Sequence, residues 1–248
     1  MVVEGENLKA QDYEHLLPDH WILPQNNIWT KLHNYYVQRV VELVVQSGVK
    51  RVLEVGCGDG WNCGKLVKAG LDVVGIDWSR NGIEHAKRMV PNAHFMCCDL
   101  TASEFTTAFP EPFEAIIFVE VIEHIPTKDC VSALQKITKT LKPGGLFILT
   151  TPSVNLPNNN PQHYRHFDEQ TLRNLISEAG QLIIDRIEGY GDVALEKRHY
   201  SIARWVNNKY YTIHPLLKWL QEKYALRIST PTALDICSGF IVSMRKIK

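Results

Sequence analysis

A chain of 248 residues with 45% hydrophobic and 22% charged content can bury one good core, which predicts one domain with an embellishment and excludes a disordered chain. Lysine plus arginine, 27, equals aspartate plus glutamate, 27, so no global field gathers nucleic acid or anionic membrane, and any polyanion site has to be local. The first residues carry acids at Glu4 and Glu6 and no apolar stretch of signal length, no segment approaches a membrane span, and the six cysteines form no C-x-x-C pair; a reduced, cytoplasmic setting is expected.

In chain order, residues 1–28, with Pro18, Trp21 and Pro24, read as an irregular arm. From Trp29 to Gln46 the apolar positions Leu32, Tyr36, Val40, Leu43 and Val44 recur at helical spacing, and Gly48 ends this cap helix. Strand Arg51 to Val55 follows and runs into Gly56, Gly58 and Gly60. Helices are then expected at 61–69, stopped by Gly70, at 80–89 with Ser79 as N-cap, and at 128–141 with Thr127 as N-cap. The intervening apolar runs near 72–76, 93–98, 114–120 and 145–151 have the composition of strands buried on both faces of a parallel sheet, and Cys97 and Cys98 are read as core. Asp168 caps a helix that ends at Gly180, strand 181–188 follows, and the last strand is Gly239 to Met244. This alternation predicts a doubly wound α/β fold.

The three glycines make a nucleotide-cradling turn, because a chain leaving a buried strand for a helix passes through backbone angles that a Cβ resists. Asp77, at the end of the next strand, is placed to accept both ribose hydroxyls. A dinucleotide fingerprint needs a third glycine where this chain has Trp61, which argues against an NAD-dependent oxidoreductase. The G-x-G-x-G form after Glu54 suits a ligand with an amino-acid tail and no phosphate. Together with Asp99-Leu100 after 93–98, and with the turn from Leu141 to Leu149, it resembles the class I S-adenosylmethionine (SAM) dependent methyltransferases over roughly residues 35–190 and the last strand.

The resemblance implies a mostly parallel seven-stranded sheet and a set of cofactor residues. Glu54 would orient the methionine amino group, Gly56, Gly58 and Gly60 would let the ligand approach, Asp77 would take the ribose diol, and Asp99, beside Leu100, would meet the adenine amine, with Trp78 as a stacking candidate. It also divides the chain as one domain, 1–248: arm and cap 1–48, SAM-binding core 49–189, an insertion 190–236 and the last strand 237–248.

Glu120-Val121-Ile122-Glu123-His124 leaves the carboxyl end of the fourth strand, which faces the ligand crevice of an open α/β sheet. Similar E-x-x-E-H sequences occur in ubiquinone-biosynthesis O-methyltransferases and in small-RNA 3′-terminal 2′-O-methyltransferases. The latter resemblance implies a divalent ion, magnesium or similar, held by Glu120, Glu123, His124 and a histidine of the stretch His163-Tyr164-Arg165-His166, with His163 the better match and His166 the reserve. Without a metal, His124 or His163 is the candidate base, with Glu120 beside it, since an unperturbed imidazole titrates near ~6.5. The insertion carries Lys197, Arg198, Tyr200, Arg204, Trp205, Lys209, Tyr210 and Tyr211, then a helix opened by Pro215 with Leu216, Leu217, Leu220 and Tyr224 on one side. Such residues could track single-stranded RNA, but the zero net charge favours a lid over a small or glycan-like acceptor. The expected activity is SAM-dependent methyl transfer to oxygen; RNA 3′-end methylation and a catalytically silent SAM-binding subunit are the alternatives.

Overall fold

The structure is a computed structural model that describes residues 16–23, 28–100, 102–228 and 230–247. Most of the arm lies outside these residues; its described part is not irregular throughout but contains one helical turn, α1 (Asp19–Ile22).

Helix α2 (Ile28–Gln46) leads to β1 (Arg51–Val55), α3 (Trp61–Lys68), β2 (Asp72–Asp77), α4 (Arg80–Met89) and β3 (His94–Cys97). There follow β4 (Phe113–Val119), α5 (Cys130–Lys139), β5 (Leu141–Pro152), α6 (Glu169–Ala179) and β6 (Leu182–Tyr190). The helical pair α7 (Val193–Val206) and α8 (His214–Arg227) precedes β7 (Gly239–Lys246). The sheet has seven strands in the order β3-β2-β1-β4-β5-β7-β6, and β7 alone runs antiparallel to its neighbours.

Successive strand residues face opposite layers, so β1 sends Val52 into the core under α2 and α3 and Leu53 into the core under α5 and α6. Ser79 caps α4 by accepting from the Gly82 amide, and Asp168 caps α6 by accepting from that of Thr171, as the sequence predicts. Thr127 does not cap α5: residues Thr127–Asp129 form a 3-10 turn, closed by Asp129 N–H donating to the Pro126 carbonyl, and the helix starts only at Cys130. The fifth strand starts four residues earlier than expected, because Leu141 already pairs with Phe113 and the chain then passes Gly144, at φ +73°, before Leu146 pairs with Ala115. Edge strand β3 is paired on one side only and mostly exposed; Cys97 stands at the surface rather than in the core.

Two long-range arrangements shape the crevice at the carboxyl ends of the strands. Arg39 of α2 grips Glu188 of β6 with two N–H donors, at 2.8 and 2.7 Å, holding the cap helix against the far edge of the sheet. Tyr224 of α8 and Ile228, just past its end, pack on Leu32 and Tyr35 of α2, so the inserted pair closes over the same end of the molecule. Among the described residues, no helix is long and apolar enough to cross a membrane.

Candidate active site

Gly56, Gly58 and Gly60 take φ of +77°, +49° and +79°, the left-handed region that a side chain resists. The amides of Gly56 and Cys57 both donate to the Ile76 carbonyl, at 2.8 and 2.9 Å, which seats the turn against the end of β2. A Cβ on Gly56 would be driven into Val121, so the turn and the segment after β4 are packed without slack.

Asp77 closes the turn from the other side. Its carboxylate accepts from the Gly58 amide at 2.9 Å and from the Ser79 amide at 2.8 Å. Glu54 lies beneath the turn, fully buried, and accepts from Asn62 at 2.9 Å and from the Cys63 thiol at 2.8 Å. Burial pushes its carboxyl up to about 7 against those bonds. In this position it braces the turn from inside. Asp99 is exposed beyond β3, with Leu100 half-buried beside it. Trp78 is half-buried, its carbonyl accepting from the Cys97 thiol.

The N-terminal turn α1 closes over this region, a contact that sequence reading missed. His20 meets Asp59 through its backbone amide, at 3.0 Å, and through Nδ1, at 3.1 Å. The Trp21 indole donates to the Asp59 carbonyl and packs edge-on against Trp61, ring centres 4.8 Å apart. Trp61 thus occupies the third-glycine position as a platform for the arm.

At the end of β4 the chain turns sharply: Glu120 adopts φ +55°, an uncommon conformation for a residue with a side chain. Its backbone N–H donates to both the carbonyl and the hydroxyl of Thr150, while the hydroxyls of Thr150 and Tyr190 donate to its Oε1 at 2.8 and 2.9 Å. Such local strain persists only where surrounding contacts over-determine it, as they do here.

The four residues proposed from sequence as one metal set separate into two groups. Glu123, His124 and His163 converge, each offering a ligand atom within 4.8 Å of the others, whereas Glu120 is not in that group and lines a neighbouring cavity instead. Glu123 is fully buried; Oε2 accepts from Thr151 at 3.2 Å, and Oε1 has no hydrogen-bond partner among the described residues. Burial, and then the charge of Glu120, hold its carboxyl well above the ordinary range. His163 is brought in by a loop whose Tyr164 amide donates to the Glu123 carbonyl.

His166 does not join the group; it orients it. Its Nδ1 lies 2.9 Å from the Leu156 carbonyl, which can only accept, so Nδ1 carries the hydrogen, and in the neutral imidazole Nε2 then carries the lone pair. His163 Nδ1, 3.0 Å away, is then the donor to that lone pair. This leaves His163 Nε2 as an acceptor or ligand atom. Burial, then the neighbouring His124 and His166, hold His163 down at about 4, so it is neutral near pH 7.

A cavity of about 220 Å³ opens beside Glu120. Its walls come from α2, from the ends of β5 and β6, and from the inserted helices; Tyr36 and Tyr190 meet there with ring centres 4.5 Å apart. Sequence reading missed Thr150, Tyr190, Tyr36 and Glu196, whose shared location depends on strand pairing and helix docking and leaves no local motif.

A glycine turn with an acid at the end of the next strand, in a seven-stranded sheet with its sixth and seventh strands exchanged, defines a class I SAM-dependent methyltransferase. The methyltransferase domain family matches residues 28–183, and the chain belongs to it. A probable SAM-dependent methyltransferase of Mycolicibacterium smegmatis is 25% identical over 71% of this chain and 69% of its own length. A ubiquinone biosynthesis O-methyltransferase of Aliivibrio fischeri is 30% identical over 43% of this chain and 46% of its own length, so the chain spans less than half of that relative. Among solved structures, the fold matches magnesium protoporphyrin IX methyltransferase from Synechocystis PCC 6803 with bound SAM, TM-score 0.60 at 17% identity over 97% of this chain and 96% of that one. It also matches an N-methyltransferase from Bradyrhizobium japonicum WM9 with S-adenosyl-L-homocysteine, TM-score 0.59 at 16% identity over 98% and 99%.

Proposed function

We propose that the chain methylates an oxygen of a compact acceptor seated in the cavity beside Glu120. The observation that carries this reading is the hydrogen-bond relay Leu156–His166–His163, which presents a neutral imidazole nitrogen next to Glu123 and His124 at the end of β4. A hydroxyl needs a proton acceptor as it is methylated, and a positioned imidazole supplies one. The partial likeness to ubiquinone biosynthesis O-methyltransferases supports oxygen as the target. The size of the cavity, with no lysine or arginine among its described lining residues, supports a small acceptor over RNA.

The glycine turn leaves room for SAM to lie close against its main chain, and Asp77 provides the carboxylate for its ribose; Asp99, Leu100 and Trp78 are the adenine-side candidates. Bound SAM supplies a sulfonium-activated methyl group, already a strong electrophile. What the protein contributes is alignment of the acceptor and removal of its proton.

A second reading is favoured by the buried Oε1 of Glu123, which has no hydrogen-bond partner among the described residues. That oxygen, with His124 and His163, is a mixed carboxylate and imidazole set that fits a borderline or hard divalent ion. Such an ion would lower the pKa of an acceptor hydroxyl. Transfer of labelled methyl from SAM to hydroxylated small molecules tests the activity, and dialysis against a chelator separates the readings. Unchanged turnover assigns the histidine as base; loss that a divalent ion restores assigns the ion; no transfer to any oxygen acceptor overturns oxygen methylation.

A further inference from the structure

The cavity beside Glu120 is walled by aromatic rings and carboxylates. Tyr36, Tyr190 and Tyr224 form its buried floor, at 7, 3 and 2% exposure, and Trp29 and Tyr200 form the rim, at 45% each. Two carboxylates line it, Glu120 from the end of β4 and Glu196 from α7, and among the described residues no lysine or arginine does. The imidazole in the wall, His33, is no counter-charge, since burial, then His20 and Lys65, depress it to about 3.

Among the described residues these carboxyl groups are met by neutral donors and by no lysine or arginine. Thr150 and Tyr190 both donate to Oε1 of Glu120, and Oε2 receives no hydrogen bond from the described residues. Glu196 accepts from Ser238, and burial pushes its carboxyl upward, as for an acid held without a positive partner. Removing a carboxylate from water is costly unless a cation compensates it or it takes up a proton. Aromatic faces are themselves negative and attract cations. An anion would be repelled by the rings and the carboxylates alike; burial raises both carboxyls, so beside a neutral guest they hold their protons more tightly, whereas a cation stabilises the charged form of each.

We propose that this cavity is an acceptor subsite for an organic cation, so that the natural acceptor carries an ammonium group as well as the atom that is methylated. The ammonium is held between Glu120 and Glu196 against the tyrosine floor. Its reactive group extends past Leu156, which borders both the cavity and the histidine relay. The inference rests on the reading of this end of the sheet as the acceptor site, but its binding test needs no turnover.

The sulfonium of SAM is itself a cation, so the experiment uses protein saturated with S-adenosylhomocysteine, which lacks that charge. Choline and its uncharged isostere 3,3-dimethylbutan-1-ol are titrated separately by calorimetry, with intrinsic tryptophan fluorescence as a second signal, assigned to the cavity by its loss in Trp29→Phe. Choline is expected to bind at least tenfold more tightly than the isostere, and Glu196→Gln to reduce that preference several-fold while leaving affinity for S-adenosylhomocysteine unchanged. Equal or tighter binding of the isostere by the wild-type protein overturns the proposal whether or not the variant folds. So does a preference for choline that persists undiminished in a folded Glu196→Gln variant. Failure of S-adenosylhomocysteine to bind would count against the methyltransferase reading, and the same two titrations on the unloaded protein would still decide the cavity's charge preference.

Discussion

The phenolic hydroxyl of Tyr190 donates to Oε1 of Glu120 across 2.9 Å, joining the end of β6 to the strained residue that ends β4. Tyr190→Phe leaves the ring in place and removes one of the two donors to that oxygen. A hydrogen bond to a charged group contributes about 1.5–3 kcal/mol, so urea denaturation should show a loss within or just below that range. Turnover should fall more than affinity for S-adenosylhomocysteine, because the change lies on the acceptor side. Stability and turnover both unchanged would show that Thr150 alone holds Glu120.

The histidine relay predicts graded effects. His163→Ala removes the lone pair offered at the end of β4 and should lower kcat by about 10²-fold or more, the usual range for a positioned proton acceptor. His166→Ala removes only the partner that sets the His163 tautomer and should lower kcat by about tenfold. Because the relay requires His166 Nδ1 to donate and Nε2 to accept, His166→Gln, whose amide carries both groups, should recover part of the loss. Steady-state kinetics on the three variants, with cofactor affinity as control, read this order; equal activity of His166→Ala and wild type would exclude the relay.

Glu54 gives a pH signature of folding. Burial raises its carboxyl from 4.5 to about 7, so the folded state holds the proton more tightly than the unfolded chain. The stabilising contribution of this proton is therefore complete below the unfolded value and is lost as pH rises through the folded one. Against Glu54→Gln, which cannot titrate, wild-type stability should decline by about 3 kcal/mol in total between the two values, at about 1.4 kcal/mol per pH unit. Denaturant unfolding of both proteins from pH 4.5 to 8 measures the difference; a constant gap would mean that Glu54 ionises at its ordinary value in the fold.

Asp77→Ala removes the carboxylate that accepts from the amides of Gly58 and Ser79 and that would meet the ribose. SAM affinity should drop by about tenfold or more, equivalent to roughly 1.4 kcal/mol and above, by calorimetry. Gly56→Ala should destabilise the whole protein, because its Cβ would combine a φ of +77° with a collision at Val121. A stable Gly56→Ala protein with unchanged SAM affinity would show that the turn tolerates more movement than its packing indicates.

Strand and helix identities were legible in the sequence wherever one local force dominated. Apolar runs bounded by Gly48, Gly70 and Gly180, and the caps Ser79 and Asp168, act over a few residues, so periodicity and cap chemistry suffice to read them. The same holds for the glycine turn and Asp77, whose spacing reflects one βαβ unit and led to the family. The first error came where local signals were weak: Thr127 resembled a cap, but the preceding 3-10 turn carries the chain on to Cys130.

The division of labour around Glu120 was decided by tertiary structure alone. On the sequence, Glu120, Glu123 and His124 form one motif; in the fold, the left-handed backbone at Glu120 sends it to Thr150 and Tyr190, while Glu123 and His124 turn towards His163. That outcome depends on antiparallel β7, which pairs with β5 on one side and β6 on the other and so places Tyr190 at the same end of the sheet as Thr150. Likewise His20 on Asp59 and Glu196 in the cavity wall are long-range contacts whose partners lie 39 residues away in the first case and in docked helices in the second. Sequence spacing encodes which residues share a turn or a strand face; which of them share a cavity is set by how whole elements pack, because a side chain's neighbours there come from chain segments that no local periodicity relates.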